Sequence, residues 1–173
     1  NKFHINSKLR EDGRLGYLKV EIDEIKTPVY LENKKKLFCI IYCMNLIKIL
    51  TAENENNIEI YNLLEKLFKI IELDNWLVEF LYLELNILKS IGYDINFKDY
   101  VVDKSINGQT KYIVDSNQKI IPNFLIDKNI SPENLKDIYS GFSIVGDFLD
   151  KTIIKPNNKN YPSSRNDFVN LLK

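Results

Sequence analysis

Carboxylates, two cysteines, one histidine and a run of lysines are the side chains of this sequence whose chemistry could be put to use. Glu84 is the most unusual of them. It stands in DNWLVEFLYLELNILKSIGY, the otherwise apolar run from Asp74 to Tyr93. A carboxylate in such a run is a flank position or a paired structural group, and the rival is an acid or base working in a helical core. Glu79 does not help it, because two residues five apart on a helix diverge by about 140°. Asp99 and Asp103 could approach one another, but a solvated loop is expected there. Cys39 and Cys43 lie one turn apart on an apolar stretch. A metal would need more ligands than that, and the single histidine, His4, is remote in sequence, so buried thiols in a reducing compartment are expected. A Ser-His-acid set would have to use His4, which lies beside no nucleophile elbow. The six glycines are scattered and form no phosphate-cradling loop. Residue chemistry therefore points to no enzyme, no cofactor and no metal.

The elements that would carry these groups follow from periodicity. In the Asp74–Tyr93 run, Trp76, Phe80, Leu83, Ile87 and Ile91 recur in steps of three and four, and Leu77, Leu81, Leu85 and Leu88 widen the stripe. Such a width predicts a central helix with neighbours on several sides. Asp74 or Asn75 is its expected N-cap, and Gly92 its left-handed C-terminal residue. Two more helices precede it, over about 33–51 and 58–73. The first opens on Lys34, Lys35 and Lys36, the wrong sign for a helix N-terminus: either a solvated end or a patch facing phosphate. Residues 1–31 alternate like strands, with a turn at Asp12-Gly13. Two strands bury no core alone, so they must pair with something else. Residues 94–124 read as a small β insertion with turns at Asn107-Gly108 and Ser116-Asn117. A helix then starts at SPEN, with Ser131 as cap and Pro132 at its first position, and Gly141 and Gly146 mark close packing or a break. A short final helix follows Ser163 or Ser164.

At 173 residues and 45% hydrophobic side chains the chain can build a real core. Its zero net charge is unevenly spread. Residues 1–36 carry nine Lys/Arg against six Asp/Glu, residues 37–150 ten against seventeen, and residues 151–173 five against one. Basic ends can meet a polyanion, and an acidic middle suits protein partners. The apolar run 37–50 is short and broken by Asn45 and Lys48, so no membrane span and no membrane partner is expected.

Four segments, taken in order, resemble the bacterial recombination-repair family RecO. Glu84-Leu85-Asn86-Ile87-Leu88-Lys89-Ser90-Ile91-Gly92-Tyr93 resembles its E-L-x-L-L-x-x-L-G-Y signature. Arg10, Leu15, Gly16 and Glu21 resemble the segment R-x(4)-L-G-x(4)-E that ends its N-terminal barrel. Asp94-Ile95-Asn96-Phe97 followed by YVVD is similar to the stretch leading into its zinc knuckle. Gly141-Phe142, Gly146, Phe148-Leu149, Pro162 and Arg165 are similar to its G-[LF]-x(3)-G-x-F-L…P-x-x-R ending.

The resemblance implies a mainly α protein. Residues 1–31 would be the last strands of an OB-fold-like barrel, with the earlier strands absent from this chain. Residues 32–173 would be a helical domain, with 94–124 as a degenerate zinc knuckle. The knuckle's thiolate positions fall on Tyr100, Asp103 and Ile121 to Phe124, so the resemblance is to members without the metal. Tyr100, Tyr112, Ile113, Ile120 and Ile121 would hold that insertion by apolar packing. The implied function is a cytoplasmic, non-enzymatic mediator of DNA repair and recombination. Such a mediator binds and anneals single- and double-stranded DNA, works with RecR and the RecF pathway, and helps load RecA on strands covered by single-stranded-DNA-binding protein (SSB). Candidate DNA contacts are Lys8, Arg10, Arg14, Lys34, Lys35 and Lys36, with Lys151, Lys155 and Arg165 at the other end. The acidic, apolar SSB tail would need an apolar hole with a cation beside it. Candidates are Tyr61, Lys66, Phe68 and Lys69; Leu81 and Tyr82 stand where some relatives have arginine. The alternative is a helical protein-interaction module that does not bind DNA.

Overall fold

Alternation at the start of the chain does become a hairpin. In the computed structural model, which describes residues 1–10, 15–52, 56–106, 109–114 and 120–173, strand β1 (Lys2–Leu9) pairs antiparallel with β2 (Leu15–Glu24). The register sets Phe3 opposite Ile22 and Ile5 opposite Val20, so apolar residues gather on one face while His4 and Glu21 take the other. Nothing covers the apolar face within this unit: Phe3, Ile5, Leu18, Val20 and Ile22 are 46–60% exposed. Pro28 then opens a 3-10 turn, Thr27–Tyr30. The chain divides into two compact units, 1–37 and 38–173.

Three helices follow. In α1 (Lys34–Leu50) the Asn33 side chain accepts the Lys36 N–H at 3.1 Å, which caps the start that the three lysines leave electrostatically unfavourable. In α2 (Ile58–Ile70) Asn57 caps Ile60 N–H at 3.0 Å, and Leu63 and Leu67 face inward. The central helix is α3 (Trp76–Ser90), whose buried side chains include Phe80, Leu81, Leu83, Ile87 and Leu88. Asn75 stands at its N-cap without a capping bond. Its end is as the sequence predicts: Gly92 has φ +97°, Gly92 N–H meets Lys89 O at 3.0 Å, and Tyr93 N–H meets Leu88 O at 2.9 Å. This pair of bonds satisfies carbonyls that the helix would otherwise leave open.

Residues 94–124 hold a 3-10 turn, Phe97–Tyr100, and an antiparallel sheet in the order β3 (Val101–Ile106), β4 (Gln109–Val114), β5 (Ile120–Ile121). The expected turns at Asn107-Gly108 and Ser116-Asn117 lie outside the described residues. Of the packing residues expected here, Ile113 and Ile121 are buried, but Tyr100 and Ile120 are exposed. Alternation along a strand puts only every second side chain inward.

The short α4 (Asn123–Ile126) buries Phe124, Leu125 and Ile126. Helix α5 (Leu135–Phe148) starts later than the SPEN motif implies. Asn134, not Ser131, is the cap, accepting from Lys136 N–H at 2.8 Å and Asp137 N–H at 3.2 Å. Asp137 in turn accepts from Glu133 N–H at 2.9 Å, so the first-turn acid ties down the residue before the cap. Neither glycine breaks α5. A Cβ on Gly141 would stand 2.8 Å from Leu81 Cδ2, so its absence lets α5 lie close on α3. A π-helical turn, Leu149–Ile154, follows. Helix α6 (Ser163–Asn170) has no serine cap: Pro162 occupies the N-cap position, and Ser164 Oγ accepts from Asn45 Nδ2 at 2.9 Å. The core of this unit is an aromatic cluster: Phe168 lies 5.3 Å from Phe142, 5.5 Å from Phe80 and 6.3 Å from Tyr42 and Trp76. The architecture is mainly α. Among the described residues no helix is long and apolar enough to cross a membrane.

Candidate functional site

Glu84 is a paired structural carboxylate. It has no exposed surface, and Arg165 from α6 is 3% exposed. Arg165 Nε donates to Glu84 Oε1 at 3.1 Å, and Nη2 reaches Glu84 Oε2 at 3.4 Å and Phe142 O at 2.7 Å. Tyr42 donates its hydroxyl to Glu84 Oε1 and accepts from Arg165 Nε at 3.1 Å. Burial works against the guanidinium charge, but Glu84, Tyr42 and Tyr161 outweigh it and hold Arg165 above its usual range. Burial, then Glu84, raises the Tyr42 phenol well above normal. Glu84 thus spends its oxygens on α1 and α6, and it lines none of the clefts described below. Arg165, read from sequence as a surface cation for DNA, is instead buried, because its carboxylate partner lies 81 residues earlier in the chain. Cys39 and Cys43 are buried free thiols. Burial, with Cys43 and Glu84 adding, raises Cys39, and burial with Glu84 pushes Cys43 up to about 12, so both stay protonated and inert at neutral pH.

Two residues before Glu84, Tyr82 points to a different place. Its hydroxyl donates to Phe124 O at 2.7 Å and its ring meets Phe124 edge-on. The Lys128 ammonium lies 5.1 Å from the centre of the Tyr82 ring. These two residues bound a cleft of about 370 Å³ between the first half of α3 and the segment leading into α5. Leu77, Val78, Ile130, Pro132, Leu135 and Ile138 give it apolar walls; Asp74, Glu79 and Lys128 are its charges. Glu79 accepts from Asn75 Nδ2 at 3.2 Å. Burial raises the Tyr82 phenol, and Glu79 and Asp127 add to it. Such a cleft can take an apolar side chain and place an anionic group against the ammonium. A smaller groove of about 280 Å³ shares Ile130, Ser131 and Pro132 with it. A third cleft of about 470 Å³ lies between α5 and α6, over Gly146, Arg165 and Tyr161.

The residues picked from sequence are placed as follows. Lys8 on β1 and Arg10 after it are exposed; Arg14 lies outside the described residues. Lys34 and Lys35 are exposed, and Lys36 is half-buried with its ammonium 5.9 Å from the Tyr30 ring centre. These five cations belong to the first unit, on the hairpin and the first turn of α1, whereas Lys151 and Lys155 are exposed in the second unit, with the Lys155 ammonium 2.6 Å from Asp150. Tyr61, Lys66 and Lys69 are exposed on α2 and Phe68 is half-buried; none lines the three clefts above. Of the residues lining the Tyr82–Lys128 cleft, the sequence singles out Tyr82 and, as a helix start, Pro132, but nothing local ties Lys128 and Ile130 to Tyr82. The one usable signal was a lysine and a proline bracketing an isoleucine just before a helix. Among the described residues no three His, Cys, Asp or Glu side chains gather as metal ligands.

Comparison with known proteins agrees with this architecture. The family model described as "Recombination protein O C terminal" matches residues 31–136. The chain is 25% identical over 135 residues to the DNA repair protein RecO of Ehrlichia chaffeensis, covering 74% of this chain and 55% of that protein. It therefore spans about half the length of that curated relative. No solved structure matches the chain.

Proposed function

Because the chain belongs to the Recombination protein O C-terminal family, we propose that it is a non-enzymatic mediator of DNA repair and recombination. The hairpin unit and its lysines meet nucleic acid, and the helical unit docks protein partners. The match over 31–136 carries this reading, and residues of two of the signature segments sit where a fold-defining role would put them. Glu84 from one, and Gly146 and Arg165 from another, meet in the core, while Gly92 closes the central helix. The cation inventory supports the division of labour. Residues 1–36 carry a basic excess, nine against six, while residues 37–173 carry fifteen Lys/Arg against eighteen Asp/Glu, an acidic balance despite the basic last stretch.

On this reading the partners are single- and double-stranded DNA, SSB through its C-terminal tail, and RecR with the RecF pathway. Annealing of strands and assistance to RecA loading are the activities. For the tail, the Tyr82–Lys128 cleft offers the required combination of apolar walls and one ammonium. The Tyr61–Lys69 face of α2 has the same residue types on an open surface.

A salt titration of single-stranded DNA binding tests the reading. The expected result is measurable affinity that falls as salt rises. Replacing Lys34, Lys35 and Lys36 by Gln should make the log–log slope shallower by up to about two, with sequence preference unchanged. Absence of binding at low salt would leave the other reading, a helical protein-interaction module, which the acidic excess of residues 37–150 favours.

A further inference from the structure

The two faces of the hairpin differ in chemistry. The face opposite the apolar strip collects His4, Asn6 and Lys8 from β1 and Glu21, Lys19 and Tyr17 from β2. Tyr17 stands directly across from Lys8, and Lys19 lies two residues further along its own strand. Tyr17 is 61% exposed, and among the described residues neither its ring nor its hydroxyl has a partner. Lys8 is exposed and in no ion pair among the described residues. Lys19 meets Glu21 at 2.7 Å and so neutralises a carboxylate of this face. Gly16 brings one more cation close. A Cβ there would stand 2.9 Å from Lys8 O and 3.3 Å from Arg10 Cγ, so the missing side chain lets the Arg10 stem lie against the residue before Tyr17. Phe3, the hairpin's other aromatic ring, sits across from Ile22 in the apolar strip. Of these two rings, only Tyr17 shares its face with cations.

A bare ring beside cations matches a ligand that carries flat rings and regularly spaced negative charge. A single strand of nucleic acid has both, because its bases present open faces and its phosphates lie next to them. A duplex offers this face phosphates alone, since its bases are already stacked on one another. Resting on the reading that the hairpin unit meets nucleic acid, we infer that Tyr17 is a base-stacking platform, and that the face it shares with Lys8 and Lys19 is selective for single strands. The ring takes one base, and the cations around it take the neighbouring phosphates. Directly opposed residues on paired strands have Cβ atoms about 5 Å apart, so the Lys8 ammonium reaches a phosphate next to a base lying on Tyr17. Lys34, Lys35 and Lys36 supply phosphate contact that single and double strands share. Discrimination between the two then rests on the ring, and affinity for either on the cations.

Fluorescence anisotropy on the full chain tests this with three labelled probes of equal length: a thymidine single strand, a single strand of abasic nucleotides, and a duplex. At low salt the thymidine strand is expected to bind about tenfold tighter than the abasic one. Both affinities should fall between about 50 and about 200 mM salt while their ratio holds, because stacking on a neutral ring releases no counterions. Tyr17→Ser should bring that ratio close to one and leave duplex binding unchanged, whereas Tyr17→Trp should keep or raise it. Lys8→Gln should weaken all three probes with little change in the ratio. The inference is overturned if thymidine and abasic strands bind alike, if Tyr17→Ser leaves their ratio as it was, or if it weakens the duplex as much as the single strand. In each of those cases the nucleic-acid reading still stands, because probes bind. Absence of binding by all three overturns that reading and this inference with it. Tyr17 belongs to no core, and an unchanged circular dichroism spectrum guards each variant against misfolding.

Discussion

At the scale of single residues, the weight of this molecule rests on a buried ion pair. Glu84 and Arg165 are both out of water, so removing one leaves the other charged and uncompensated. Glu84→Ala is expected to cost about 3–5 kcal/mol in urea unfolding. The paired replacement Glu84→Leu with Arg165→Met should cost clearly less than the sum of the two single changes, because it removes both charges together. It will not be free, since Phe142 O and the Tyr42 hydroxyl each lose a partner. If the double variant were as unstable as the summed singles, the pair would not be coupled as its geometry implies. A second expectation concerns alkaline pH. Cys43 is raised from about 9 to about 12, and Cys39 also lies well above its usual value. Their folded forms keep the proton after the unfolded chain has lost it. Stability is therefore fully present below about pH 9 and falls through the window up to about 12, with a slope near 1.4 kcal/mol per pH unit for each thiol. Replacing both cysteines by Ala should flatten that slope, measured by urea midpoints at a series of pH values, even if the midpoint near neutrality is lower.

At the scale of elements, glycines set how closely helices approach. A methyl group on Gly146 would meet the Arg165 guanidinium and the Tyr161 hydroxyl, the latter at 2.9 Å. Arg165 cannot yield without losing Glu84, so Gly146→Ala should lower the melting temperature more than Gly141→Ala. At Gly141 the near atom is the tip of Leu81, which can turn, for roughly 1–3 kcal/mol. Differential scanning calorimetry of both variants would decide it, and equal shifts would mean that Arg165 moves freely. The helices themselves were legible because a wide apolar stripe at steps of three and four admits no other element, and Gly92 marked the end of α3. The start of α5 was less so. Ser131-Pro132 and Asn134 with Asp137 are two competing start signals three residues apart, and it is Asn134 that accepts from Asp137 N–H while the Asp137 carboxylate accepts from Glu133 N–H. Arg165 was misread as a surface cation because its partner is supplied by a distant segment that no local pattern reveals. The Tyr82–Lys128 cleft was illegible for the same reason: its two key residues belong to different elements, and each alone looks like an ordinary flank.

At the scale of the whole molecule, the two units should differ widely in stability. Residues 38–173 have an aromatic core drawn from α1, α3, α5 and α6, whereas residues 1–37 rest on a hairpin whose apolar face is open to water. A two-stranded ribbon is marginal by itself, because it buries too little to offset the order it requires. Amide exchange should therefore be fast along β1 and β2 and slow in α3 and α5, where opening approaches global unfolding. The same open face makes a second demand on behaviour. Phe3, Ile5, Leu18, Val20 and Ile22 form a contiguous apolar strip beside unpaired strand edges, which is the surface that associates when nothing covers it. Ile5→Lys with Val20→Lys places charges in the middle of that strip and should reduce concentration-dependent association in sedimentation velocity. The thermal transition of the helical unit should stay where it is, because neither residue belongs to that core. If the helical transition dropped together with the association, the hairpin would be contributing to the stability of the second unit, and the two would have to be treated as one cooperative structure.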